Sequence, residues 1–360
     1  MSPDLGGLEL YVKRLSLCLA QEVNLTLIIN TDGKLLNELS NANIKLISYK
    51  KPSLITSLFL AKTIAKVIDE NDIDIVHIHW TKDILLAVMS KLLSNKKPKL
   101  VQSRHMRMTR FKSDFYHKFL YKNIDAMIAV TQEVKEQLEK FIPSDIRPKV
   151  YLSYIGTQKV QIIEPAYKKE LVQKYTLKNS FVLGIVGRIE ESKGQYLLVE
   201  ALKELENKNI KDVKLLVIGH TMNTEYLNNL KSRVVELSLE KSVVFTGFSS
   251  EVQNLMQVCD VIVLATQYET FGLVLIEAMA SDICVIGSNR GGPLEIIEDK
   301  VSGLLFESLN TKDLALKIKE LYQDSQLKEQ LVLNAKDRVK KLFDDEKQFL
   351  EVKNILQESL

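Results

Sequence analysis

The chain has 360 residues, 46% hydrophobic and 26% charged, with a net charge of +3. That length predicts two domains, and the balance reads as a soluble globular protein rather than a disordered or fibrous one. No apolar run is long enough to span a membrane, the first residues do not read as a signal peptide, and three scattered cysteines without CxxC spacing exclude a zinc ribbon or disulfide framework.

The chain opens with "MSPDLGGLEL", a Gly6–Gly7 turn running at once into a helical pattern carried by Tyr11, Leu15, Cys18 and Leu19. A Gly-Gly turn at a helix start lets backbone N–H groups approach an anion. Residues 23–30 then read as a strand, 53–70 as a helix, 73–80 as a buried strand and 82–94 as a helix. Further strands are predicted at 98–105, 125–131 and 149–156, with a helix at 132–141. Residues 1–150 carry 23 Lys and Arg against 16 Asp and Glu, and residues 91–122 carry ten against the single acid Asp114. Phe111, Phe115, Tyr116 and Phe119 interleave with that positive charge, which would attract phosphates or an anionic membrane surface.

A second series follows Pro165. It has strands at 181–186, 213–218, 242–246, 260–264 and 283–286, helices at 193–206, 223–237, 250–258 and 272–281, and three helical stretches from 311 onward. Two strand–helix series predict two doubly wound parallel sheets, with a boundary near 155–165. In such sheets ligands bind beyond the carboxyl ends of the strands. There stand Gly6–Gly7, His79–Trp80, His105, Gly187–Arg188, Gly219–His220 and Glu269–Gly272. Arg188 and Lys193 beside a helix start suit a diphosphate, although a solvated loop with incidental cations reads equally well. Glu269 and Glu277, eight apart, fall roughly on one helix side, and the N–H groups of Phe271, Gly272 and Leu273 are the expected free donors of that helix. His77 and His79 share a strand face without a third metal ligand in view. Asp72 and Asp74 sit at the start of a strand, the wrong end for a ligand.

Taken together, "GGLE" (6–9), "GRIEESKG" (187–194), "ETFGLVLIE" (269–277) and "GGPLEII" (291–297) resemble the GT-B glycosyltransferases of family 4. The resemblance covers nearly the whole chain and is most specific over 187–306. It implies an α/β protein of two Rossmann-like domains facing each other across a cleft: an acceptor domain at 1–160, a nucleotide-sugar domain at 161–342, and a final helix, 343–360, packing back toward the first. It implies retaining, metal-independent transfer from a nucleotide sugar, with UDP the most frequent carrier, to a saccharide or lipid-linked acceptor in cell-surface polysaccharide or lipopolysaccharide synthesis. No cofactor or nucleic-acid partner is expected. By this resemblance Arg188 and Lys193 stabilise the diphosphate, Glu277 takes the ribose hydroxyls, and Glu269 with the Phe271–Leu273 backbone holds the sugar. His105 lies near the reaction centre, and Gly6, Gly7 and Gly187 admit the donor. The sequence departs from the family pattern at Ala265–Thr266, Asp282, Cys284 and Tyr154–Gly156. A cytoplasmic protein, peripheral on the inner face of the membrane through 91–122, is the expected setting. Competing readings are a nucleotide-sugar epimerase or phosphorylase on the same fold, an inactive transferase relic acting as a binding protein, and a nucleic-acid protein. The family's first strand, leading into the Gly-Gly loop, is not in the sequence. The expectation is a truncated start, a gap in the first sheet and a poorly held Gly6–Gly7 loop.

Overall fold

The computed structural model describes residues 6–40, 42–50 and 54–360. The chain divides into two compact units, Met1–Ile155 with Asp345–Leu360, and Gly156–Asp344.

The first unit begins with α1 (Gly7–Leu19), followed by β1 (Thr26–Asn30), α2 (Lys34–Leu39), β2 (Lys45–Tyr49) and α3 (Leu54–Glu70). Then come β3 (Ile75–Ile78), α4 (Ile84–Leu93), β4 (Lys99–Arg104), α5 (Phe115–Lys122), β5 (Ala126–Ala129), α6 (Gln132–Phe141) and β6 (Lys149–Leu152). All the pairings are parallel, but they make two sheets: β1 with β2, and β3-β4-β5-β6. Among the described residues no strand joins the two, and residues 1–5, with the turn residue Pro3, lie outside them. The Gly6–Gly7 loop is nevertheless held locally. The Glu9 carboxylate accepts the Gly6 N–H at 3.1 Å, satisfying one donor at the helix start.

One face of the four-stranded sheet packs Ile78, Leu100, Met127 and Ala129 against Ile84, Val88, Val134 and Leu138 of α4 and α6. Caps set where the helices begin: Thr131 Oγ1 accepts the Val134 N–H at 3.2 Å, and Asp114 accepts the His117 N–H at 3.1 Å. The other face meets α1, whose Tyr11 ring stands edge-on to His79 and His105 at 6.1 and 5.5 Å.

The second unit runs α7 (Pro165–Lys174), β7 (Phe181–Val186), α8 (Gln195–Glu206), β8 (Val213–Ile218), α9 (Thr224–Glu236), β9 (Val243–Gly247), α10 (Val252–Met256) and β10 (Val261–Leu264). It continues with α11 (Leu273–Ala280), β11 (Cys284–Ser288), α12 (Pro293–Ile296), β12 (Leu304–Phe306), α13 (Thr311–Gln323) and α14 (Ser325–Leu342). Its six parallel strands are ordered β12-β11-β10-β7-β8-β9. β7 and β10 are near-continuous apolar runs because both faces are covered. On α8, Leu198 and Leu202 recur one turn apart and are 0% and 2% exposed, so truncating either to alanine would cost about 2–5 kcal/mol.

The last helix, α15 (Asp345–Glu358), belongs to the first unit. Its Phe349 ring lies 6.0 Å from that of Tyr11, and Glu351 accepts the Ser153 hydroxyl at 2.9 Å. The expected strands and helices are present within a few residues of their predicted bounds. The elements α2, β2, α5, α7, α12 and β12 were not read from the sequence.

Candidate active site

In the second unit the strand order reverses between β7 and β10, because β7 leads to β8 and β9 on one side while β10 leads to β11 and β12 on the other. Such a switch point opens a crevice between the loops that leave the two strands. The loop after β7 carries Gly187, Arg188 and a short 3-10 turn, Glu191–Lys193. Gly194 ends that turn at φ +75°, and a Cβ there would stand 2.2 Å from the Ala265 carbonyl oxygen of the loop after β10. Glycine is therefore what allows the two loops to touch.

The charges meet across this contact. Lys193 Nζ donates to Glu269 Oε2 at 3.1 Å, with each side chain about a quarter exposed (25%). Arg188 is more open, its Nη2 lying 3.4 Å from Glu190 Oε1. The Arg188 carbonyl accepts the buried Gln195 amide at 2.9 Å, which fixes the backbone under that guanidinium. Gly187 donates its N–H to the Ile218 carbonyl at 3.0 Å.

A third loop braces the second. Gly292 N–H donates to the Glu269 carbonyl at 2.8 Å, and a Cβ on Gly292 would fall 1.9 Å from the Phe271 carbonyl oxygen. The paired glycines of "GGPLEII" thus let the β11–α12 turn lie directly on the Glu269 loop. α11 starts at Leu273 with Gly272 as its cap at φ +107°. The first N–H to bond within this turn is that of Leu275, which donates to the Gly272 carbonyl at 2.9 Å, so the N–H groups of Gly272, Leu273 and Val274 precede it at the helix start. The Phe271 ring is buried edge-on to Phe343 at 6.0 Å, so this residue faces the loop through its backbone. Glu277 is half-buried in the second turn of α11.

The first unit carries the remaining residues. Gly6 gives its N–H to Glu9, while Gly7 opens α1. His105 follows β4, with Nε2 3.3 Å from His79 Nδ1. Burial, with the nearby His77 and Arg104 charges adding to it, pushes the His105 imidazole down to about 3, and burial alone pushes His77 down to about 4. Asp72 and Asp74 are taken up by Lys96 at 2.5 and 2.9 Å, a structural ion pair at the amino end of β3. The Lys193–Glu269 pair, the Gly292 brace and the His79 contact were missed from sequence. They join residues distant in the chain, and only strand order and register bring them together.

The family model for group 1 glycosyl transferases matches residues 167–338, and that for family 4 glycosyltransferases matches residues 5–149. The capsular polysaccharide biosynthesis glycosyltransferase CapM of Staphylococcus aureus is 27% identical, over 88% of this chain and 85% of its own. A Campylobacter jejuni N-acetylgalactosaminyltransferase whose name specifies a diphospho-undecaprenol-linked acceptor is 25% identical, over 93% and 92%. Anabaena HepE, solved with UDP and glucose, superposes with a TM-score of 0.86 at 21% identity, over 99% of this chain and 98% of its own, which bears on the fold alone. The two family models fall on the two units just described, and the chain belongs to the family 4 glycosyltransferases of GT-B fold.

Proposed function

We propose that this protein transfers a sugar from a nucleoside-diphosphate sugar, a UDP-sugar first among candidates, to a saccharide or lipid-linked acceptor. The transfer proceeds with retention and without a divalent metal, in the synthesis of cell-surface polysaccharide or lipopolysaccharide. The observation that carries this is the meeting of Lys193, Glu269 and the α11 N-terminus at the β7/β10 switch point, with Arg188 alongside. As the anomeric carbon–oxygen bond breaks, negative charge grows on the departing diphosphate. Arg188, Lys193 and the Leu273 and Val274 N–H groups are fixed positive partners for that charge, the role a metal ion fills elsewhere. Lys193 turns from Glu269 to the diphosphate, which frees Glu269 to accept a sugar hydroxyl. Glu277 takes the ribose hydroxyls, and Gly187 keeps the strand end open to the donor. From the first unit, Gly6 and Gly7 admit the donor and His105 serves the reaction centre, roles that rest on the family resemblance. Retention likewise rests on that resemblance and is read directly from the anomeric configuration of the product by NMR. The reading is tested by incubating the protein with labelled nucleotide sugars and lipid-linked acceptors, with and without EDTA. It predicts EDTA-resistant label in the acceptor; release of free sugar only, or epimerised donor, contradicts it.

We also propose that the protein sits on the inner face of the cell membrane through residues 91–122. Phe111 and Phe115 are 62% and 88% exposed, whereas Phe119 packs partly into the core. The one acid of the stretch, Asp114, is occupied by His117, while Lys91, Lys96 and Lys99 are engaged by Asp125, Asp72 and Asp74, so attraction to anionic lipid, at about 1 kcal/mol per cation before screening, falls to the basic residues around 107–122. Flotation with anionic but not neutral liposomes is expected; equal recovery from both refutes it.

A further inference from the structure

The register of the four-stranded sheet sets Ile78 beside Gln102. His77 and His79 therefore project on the same face as Ser103 and His105. Side chains on that face form a connected series. His77 Nε2 lies 2.8 Å from Ser103 Oγ, the His77 and His79 rings are 4.2 Å apart, and His79 Nδ1 meets His105 Nε2 at 3.3 Å. Tyr11 stands edge-on to His79 and His105, which restricts both rings. His105 is thus tied at one ring nitrogen. Its other nitrogen, Nδ1, is buried and has no hydrogen-bond partner among the described residues. A buried ring nitrogen left in this state is costly until a ligand group pairs with it. Burial holds both rings far below the usual histidine range. Each is therefore a neutral imidazole with one N–H and one lone pair.

We infer that His79 is a positioning residue for His105. It accepts the His105 Nε2–H at its own Nδ1, fixes the orientation and tautomer of that ring, and so presents the His105 Nδ1 lone pair to a substrate hydroxyl. The inference rests on the place proposed above for His105 at the reaction centre. The opposite tautomer would leave a buried N–H with no acceptor, the rarer of the two arrangements. A sugar hydroxyl brings the donor that the Nδ1 lone pair lacks. The 3.3 Å separation is long for a hydrogen bond, as such bonds are before substrate closes the site.

Two substitutions and one spectrum test this. His79→Phe keeps a flat ring beside Tyr11 and His77 but accepts nothing. His79→Asn keeps a polar atom near the position of Nδ1. His79→Phe should lower kcat by about 10–100-fold with donor KM unchanged, as removal of an outer partner of a functional histidine does, and His79→Asn should restore most of it. Nitrogen-15 spectra of the wild-type protein should show His105 protonated at Nε2 and bare at Nδ1, and His79→Phe should give a mixture of tautomers. A protonated Nδ1 in the wild type overturns the inference. So does full kcat in His79→Phe beside an impaired His105→Ala. If His105→Ala itself retains full kcat, the reading of His105 fails, while the spectrum still decides whether His79 sets its tautomer. If His79→Phe does not fold, the wild-type spectrum decides alone.

Discussion

Replacing Lys193 by alanine separates a catalytic cation from a structural one. In the structure Lys193 pairs with Glu269 at 3.1 Å, both side chains a quarter exposed (25%). An ion pair that wet contributes no more than about 1 kcal/mol to folding. For a unit of this size that is a fall in Tm of about 2–4 °C. If Lys193 instead stabilises the departing diphosphate, its loss falls on the transition state, where one preorganised donor is worth about 3–4 kcal/mol, or roughly 10²–10³ in kcat. The two readings thus differ by two orders of magnitude in turnover at nearly equal stability. The assay is initial-rate transfer across donor concentrations, with a thermal melt of the same preparation. Glu269→Gln, which frees Lys193 without removing it, should leave affinity for the bare nucleoside diphosphate intact while lowering transfer from the full donor. A Lys193→Ala enzyme with a lower Tm and unchanged kcat would show that the pair only braces two loops, and the leaving-group role would be lost.

Gly292→Ala should lower the Tm and weaken donor binding together, because its Cβ would lie 1.9 Å from the Phe271 carbonyl oxygen, a backbone atom that cannot turn aside; overpacking of this kind costs about 1–3 kcal/mol, and an unchanged melt would refute the brace. Glu277→Ala should raise the donor Kd with kcat nearly unchanged, since ribose contacts are shared by ground and transition states; a defect confined to kcat would remove the ribose role. Stability should fall on mild acidification. His77 and His105 titrate near 4 and 3 when folded, below the ordinary value of about 6.5, so their contribution is complete above pH 6.5 and is lost as pH falls toward those folded values. At pH 5.5 this amounts to a loss on the order of 1 kcal/mol for the cluster by linkage, measurable by urea unfolding against pH 7.5; a flat profile between the two would contradict the burial of the cluster.

What was legible in the sequence follows from how each part is encoded. β7, β8, β10 and β11 read clearly because parallel strands covered on both faces become unbroken apolar runs. β2 and α2 did not read, since "KLISY" is half-exposed at the edge of a two-stranded sheet and α2 has only six residues. β12 is three residues long, below the reach of any periodicity. At the site, residue types at strand ends pointed to Arg188, Lys193, Glu269 and Glu277 one at a time. That Lys193 and Glu269 would pair depends on β7 lying next to β10, a fact of strand order that local pattern does not contain. In the same way, His77 and His79 were placed on one face by alternation, but Ser103 and His105 join them only through the β3–β4 register.

The central claim is that the β7/β10 crevice of the second unit binds a nucleoside diphosphate through Arg188 and Lys193. The most direct measurement is titration calorimetry of the full chain with UDP, GDP and ADP in EDTA, beside the Arg188→Ala, Lys193→Ala double variant. The account predicts that at least one nucleotide binds the wild-type chain, and that the double variant, folded by its melt, loses at least tenfold in affinity. Binding of the same nucleotide with equal affinity by both proteins would contradict it, as would no binding of any nucleotide at millimolar concentration.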